Sequence, residues 1–278
     1  MSSISKPADN WHASLQLDYQ RRGERTVLAH RQHSGPLMVQ RPFYPEPEVC
    51  HSYIIHPPGG VVGGDRLDIG IHVGSNAHAL LTTPASGKFY NSERIEASLH
   101  QHLQVEDDAV MEWLPQDNIL YEGSHTRITT QVELAVSAKF IGWEITCLAR
   151  PYSKTHFHTG HSRQRLEIRR DNKPLIIDQM TLAAEQPVLT EHWGLGSYPV
   201  IGTLVATPAS TSLLYKLNQQ LQDIPDQPFS VTLMNTVLVC RYLGHHAEQA
   251  RQHFEKLWRI IRPQMLQKEA CIPRIWST

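Results

Sequence analysis

The stretch Leu67-Asp-Ile-Gly-Ile-His-Val73 decides the fold class. Leu67, Ile69, Ile71 and Val73 alternate with Asp68, Gly70 and His72, so an extended chain would place every apolar side chain on one face. The same period of two runs outward in both directions. Trp11, Ala13, Leu15, Leu17 and Tyr19 show it upstream. Downstream, Ile95, Ala97, Leu99, Leu103 and Val105 share one parity, against Glu96, Ser98, His100, His102 and Gln104 on the other. Ile128, Thr130, Val132, Leu134 and Val136 repeat it. Turn-forming runs separate these segments at Gly74-Ser-Asn76, Glu122-Gly-Ser124 and Asp171-Asn-Lys-Pro174.

Residues 10–205 therefore read as many short strands with short links. Such regular spacing permits a stacked or coiled sheet, although no repeat of fixed length stands out. Helical spacing enters only in the last third. Leu214, Leu217 and Leu221 follow Thr207-Pro208, where proline suits a first helical turn. Ala247, Ala250, Phe254, Leu257 and Ile261 fall on one helical face, and Pro263 is expected to end that helix. Phe229–Tyr242 reads as one or two further strands. The fold expected is mainly β, a layered or helical β-sheet domain with two α-helices in its C-terminal third. It is taken as a single domain over 1–278, with 1–9 flexible.

Composition narrows the function classes. The 26 basic and 27 acidic residues leave a formal net charge of −1, without the basic excess usual in nucleic-acid binding. No stretch approaches the ~18 apolar residues of a spanning helix, and the N-terminus lacks the apolar core of a secretory signal. The four cysteines, Cys50, Cys147, Cys240 and Cys271, are far apart with no CxxC pair, so free thiols in a reducing cytoplasm are expected.

Directly before the opening stretch lies His56-Pro-Pro-Gly-Gly-Val-Val-Gly-Gly-Asp65. Two prolines that fix φ precede two glycine pairs that permit positive φ, so the chain turns sharply and its backbone can approach a neighbour closely. It reads either as a tight structural crossover or as a binding loop, with Asp65 as turn cap or exposed carboxylate. No lysine follows in the phosphate-loop position. Thr82-Thr-Pro-Ala-Ser-Gly-Lys-Phe-Tyr90 also fails that pattern at Thr82 and Phe89 and reads as a loop between strands. Glu144 lies within the apolar run Phe140-Ile-Gly-Trp-Glu-Ile145. It is either paired, facing a wet cavity, or turned outward, because a bare buried charge costs too much. His100 and His102 share a strand face. His156-Phe-His-Thr-Gly-His161 offers imidazoles of the kind that bind nickel or zinc, with solvated surface histidines as the plainer reading.

Taken together, Gln40-Arg-Pro-Phe-Tyr-Pro-Glu46, the His51–Asp65 run, Thr82–Tyr90, Glu112-Trp-Leu-Pro-Gln-Asp117, the Trp143–Pro151 segment and Pro273-Arg-Ile-Trp276 resemble the UreD (UreH) family of urease accessory proteins. The matches run in order over nearly the whole chain. The resemblance implies a cytoplasmic, non-enzymatic maturation factor and scaffold without a cofactor of its own. Such a protein binds UreF, recruits the GTPase UreG and docks on apo-urease, with nickel supplied through UreE. It further implies weak, transient nickel binding along an internal path. On this chain the path would be lined by Glu48, Asp65, Glu144 and Asp178, with Lys88 as a pathway residue that is not a ligand. Gln179 stands where the family leads one to expect arginine. Two other readings compete: a β-rich binding module, and an enzyme using the 56–65 loop for an anionic ligand.

Overall fold

The computed structural model describes residues 11–150, 153, 155–221 and 228–277. Residues 1–9, expected to be flexible, lie outside them. In chain order the strands are β1 (His12–Arg22), β2 (Arg25–Ser34), β3 (Met38–Val39), β4 (Cys50–Ile55), β5 (Arg66–Val73), β6 (His78–Thr82), β7 (Gly87–Phe89), β8 (Ala97–Val105) and β9 (Val110–Trp113). They continue as β10 (Asn118–Leu120), β11 (His125–Leu134), β12 (Lys139–Leu148), β13 (His161–Arg170), β14 (Lys173–Ala183), β15 (Val200–Thr207), β16 (Phe229–Met234) and β17 (Val237–Gly244). Helix α1 (Thr211–Leu221) precedes β16, and α2 (Ala247–Leu266) follows β17.

Two sheets stack. One has seven strands in the order β14-β13-β11-β8-β5-β1-β2; the other has ten, eight of them in the order β16-β17-β15-β12-β9-β6-β4-β3, with β10 beside β12 and β7 beside β10. From β4 to β13 the chain crosses from one sheet to the other at nearly every strand, and successive strands within each sheet pair in parallel. The regular alternation read from the sequence is thus one coil of chain building two layers at once. Inward-facing Leu15, Ile69, Leu103, Val132 and Phe140 fill the space between the sheets. The ten-stranded sheet is covered on its other face by α1 and α2, where Trp143, Leu204, Phe254 and Trp258 form a second core. Covered on both faces, β15 is buried at every position and reads as a continuous apolar run. The outer face of the seven-stranded sheet is polar. There His72 Nε2 lies 2.9 Å from Glu106, and His102 Nε2 lies 3.2 Å from Glu133.

The turns follow the sequence signals. Asp171 and Asn172 both take positive φ in the two-residue link between β13 and β14, as a type I′ hairpin requires. Several boundaries differ from the periodic pattern. Trp11, Ile95 and Val136 are exposed because the strands begin or end inside them. Helix α1 starts at Thr211 rather than at Pro208, and the Ser210 hydroxyl accepts the Leu213 N–H at 3.3 Å as a cap. The side chain of Leu221 lies outside the described residues. Helix α2 continues past Pro263 to Leu266. Gln267, in the left-handed region, donates its N–H to the Pro263 carbonyl, and the Met265 carbonyl accepts Lys139 Nζ at 3.0 Å, so external bonds hold the last turn.

Candidate functional site

The ten-stranded sheet has a fault, and the fault creates the site. β6 and β7 are separated by residues 83–86, and β9 and β10 by 114–117, whereas β12 in the next coil runs unbroken. Trp113 pairs with Gly142 and Asn118 with Thr146, so five steps of one chain face four of the other. Pro84 and Pro115, which donate no backbone hydrogen, sit in the two interruptions. Local bonds brace the gap: Ser86 Oγ donates to Asp117 Oδ1 at 2.7 Å, and Trp143 Nε1 donates to the Pro115 carbonyl at 2.8 Å.

Behind the gap a cavity of about 160 Å³ extends between the sheets. Its walls include His56, Lys88, Gln101, Gln116, Asn118 and Glu144. A second cavity of about 20 Å³, lined by Gln164, Asp178 and Thr203 among others, meets the other side of Glu144. That volume suffices for one water. Lys88 lines the first cavity and Asp178 the second, while Glu144 lines both.

Strand register explains why polar groups gather here. Leu15, Ile69, Gln101, Thr130, Leu166 and Asp178 form one row across the seven-stranded sheet, facing inward. On the opposing sheet Glu144, Thr203 and Arg241 form another row. Gln101 Nε2 donates to Thr130 Oγ1 at 2.9 Å, and the Thr130 hydroxyl in turn donates to Glu144. Arg241 reaches across the layers to Asp178 at 2.5 Å and donates to Thr203 at 3.2 Å. Burial raises the Glu144 carboxyl to about 7, the bond from Thr130 pulls it down and the charge of Asp178 adds to the rise. Gln101 and Thr130 are the residues that sequence reasoning missed. The available signal was parity: both are polar at inward positions of otherwise apolar strands.

The other two expected path residues lie elsewhere. Asp65 is 8% exposed, and its oxygens accept the N–H groups of Trp11 and Val62, each at 3.0 Å. It closes the glycine loop and is absent from the walls of both cavities. Glu48 is exposed and paired with Lys268, whose hydrogen bond and charge hold its carboxyl below the usual range. The loop itself is a crossover from β4 to β5, pinned beside the cavity mouth by the Val61–Phe89 bridge. A Cβ on Gly60 would come within 2.3 Å of the Tyr90 ring and 2.7 Å of the Lys88 carbonyl. Gly64 has φ +88°. Close approach and positive φ together account for these glycines.

The histidines divide. The rings of His156 and His158 stand 5.4 Å apart, outside any strand, and with His161 they make no three-donor set close enough for an ion among the described residues. A separate ion network lies beneath α2. Glu112, wholly buried, accepts from Trp258 Nε1 at 2.6 Å and Arg262 Nε at 3.0 Å, and lies 2.7 Å from His78 Nε2. Arg262 also donates two bonds to Glu46, at 2.7 and 2.9 Å. Burial pushes the Glu46 carboxyl up, but bonds from His51 and Arg262 outweigh it and hold it down to about 2. No described helix is long and apolar enough to cross a membrane.

Comparison with known proteins adds a family. A family model described as "UreD urease accessory protein" matches residues 12–277. "Urease accessory protein UreD" of Alkalilimnicola ehrlichii is 42% identical over 277 residues, covering 99% of this chain and 94% of that protein. The protein of the same name from Aliivibrio fischeri strain MJ11 is 42% identical over 288 residues, spanning 100% of both. "Urease accessory protein UreD 2" of Brucella anthropi is 42% identical over 270 residues, with 96% and 98% coverage.

Proposed function

The chain belongs to the UreD family of urease accessory proteins, and from that premise we propose that it is a non-catalytic urease maturation factor whose interior route passes nickel toward apo-urease. In this reading it acts in the cytoplasm within an assembly containing UreF and the GTPase UreG, with UreE upstream as nickel donor. Nickel is its cargo; GTP hydrolysis is left to UreG.

One observation carries the proposal: one carboxylate, Glu144, lines both of two cavities between the sheets. A moving divalent ion needs oxygen ligands at intervals, held weakly enough to be released. Glu144 serves as the central station. Its carboxyl, raised to about 7, gives up a proton as an ion arrives and regains one as it leaves. Asp178 is already engaged by Arg241, so its charge is partly offset and it holds an ion loosely. Lys88 stands on the wall of the first cavity and binds no ion itself. Asp65 braces the loop at the mouth, and Glu48 is a surface residue outside the route.

The test is co-expression of the full chain with the urease subunits and the other accessory proteins. Glu144→Gln keeps the shape of the side chain and removes the charge. The expected outcome is an intact accessory complex with nickel-poor, weakly active urease. Normal nickel content and activity in that variant would refute the route.

A further inference from the structure

Three donor atoms from distant parts of the chain converge beside Arg262. Glu46 comes from the loop before β4, His51 from β4 itself, and Cys271 from the tail beyond α2. A carboxylate oxygen, a ring nitrogen and the sulfur all lie within 4.8 Å of one another, and no other such trio occurs among the described residues. His51 is wholly buried, with Nε2 2.9 Å from Glu46 Oε1 and Nδ1 without a partner. Cys271 is only partly buried, which leaves a way in from solvent.

We propose that Glu46, His51 and Cys271 bind one divalent transition-metal ion of borderline softness, through a thiolate, an imidazole and a carboxylate, with a fourth position open. The proposal goes beyond the nickel route, which uses other residues.

The donor set fits the ion class, since a thiolate with an imidazole selects nickel, zinc or cobalt over magnesium or calcium. Bonds of about 2.0–2.3 Å place ligand atoms roughly 3.3–3.7 Å apart, so the trio must tighten by about 1 Å. Cys271 lies on irregular backbone that can supply the movement. Arg262 does not block the site. A carboxylate offers about four lone-pair positions; Arg262 takes two on Glu46, and the ion replaces the His51 bond. Two carboxylates, Glu46 and Glu112, share the one guanidinium. In the ion-free chain Nε2 of His51 donates to Glu46; because Nδ1 has no partner, the ring can shift its proton to Nδ1 on binding and turn the Nε2 lone pair to the ion. On binding, the Cys271 S–H bond breaks, its proton passes to water and a sulfur–metal bond forms.

The experiment titrates the full-length chain, carried on a solubilising fusion, with Co(II). A near-ultraviolet thiolate-to-cobalt charge-transfer band saturating at one equivalent is expected. Cys271→Ser should abolish the band and weaken binding at least about tenfold, the scale lost even on removing an outer-shell partner. Alkylation of Cys271 in the unmutated chain, followed by peptide mapping, should slow when Co(II) is present. Absence of the band, its persistence in Cys271→Ser, or unchanged alkylation would each overturn the proposal. None of these readouts involves urease, so they stand or fall apart from the nickel route.

Discussion

Arg262 and Glu112 are 150 residues apart in the chain, yet Nε of one stands 3.0 Å from Oε1 of the other, and neither side chain is exposed at all. With Glu46, His78 and Trp258 they fasten α2 to the strands beneath it.

Removing one member leaves a buried charge without its partner. Arg262→Met should destabilise the protein by about 3–5 kcal/mol, measured by urea denaturation. Adding Glu112→Leu should recover a good part, because the second change removes the stranded carboxylate. A loss below about 1 kcal/mol in Arg262→Met would show that the network does not hold the helix.

The same network sets an acid limit. The Glu46 carboxyl is held near about 2 in the folded chain, below the ~4.3 of a free glutamate. A depressed folded value means stability that is present above the unfolded value and lost as pH falls through the folded one. Unfolding midpoints should therefore drop between about pH 4 and pH 2, and Glu46→Gln should flatten that drop.

Glu144 has the opposite sign. Its carboxyl is raised to about 7, so the folded chain holds a proton that the unfolded chain releases near ~4.3. Stability should fall as pH rises from about 4 to 7. Glu144→Gln should match the parent chain near pH 4 and exceed it at pH 8, by about 1–3 kcal/mol. Parallel pH profiles for the two proteins would contradict the raised carboxyl.

Asp65→Ala removes an acceptor from two backbone N–H groups, those of Trp11 and Val62. The expected cost is roughly 1–3 kcal/mol, with folded protein, partner complex and urease activation declining together. Asp65→Asn, which keeps one acceptor oxygen, should restore part of all three. Normal folding with selective loss of nickel delivery would place Asp65 on the route instead.

Gly60→Ala should be costly because its new carbon meets the Tyr90 ring at 2.3 Å and the Lys88 carbonyl at 2.7 Å. Overpacking of this kind costs about 1–3 kcal/mol. Gly59→Ala, where nothing stands within 4 Å, is the matched control and should change thermal stability little.

The layered β architecture was legible because alternation and turn chemistry are local properties. Leu67 to Val73 and Asp171-Asn172 each announce their conformation within a few residues. Helix ends were less legible. Pro263 breaks no helix here because Lys139 and Gln267 hold the last turn, and Lys139 is distant in the chain. The site was legible only in part. Glu144 stood out as a charge in an apolar run, and the structure gives it two cavities. Family resemblance also pointed to Asp65, whose carboxylate accepts two backbone N–H groups that no spacing rule reveals. Glu46, His51 and Cys271 share no local pattern, since the tail after α2 brings the sulfur back across most of the chain.

The return of that tail bears on how the chain is made. From β4 to β13, successive parallel strands pair residues only some thirty positions apart, as in the 29-residue separation of Gln101 and Thr130, so coils can form in turn as the chain emerges from the ribosome. The bonds that seal the helical face span far more: Trp276 reaches Thr82 across 194 residues, and Arg262 reaches Glu46 across 216. Until α2 and the segment after it have been made, a nascent chain lacks the contacts that cover the apolar back of its ten-stranded sheet. Closing of the helical face, rather than completion of the sheets, is the step that seals this side of the molecule.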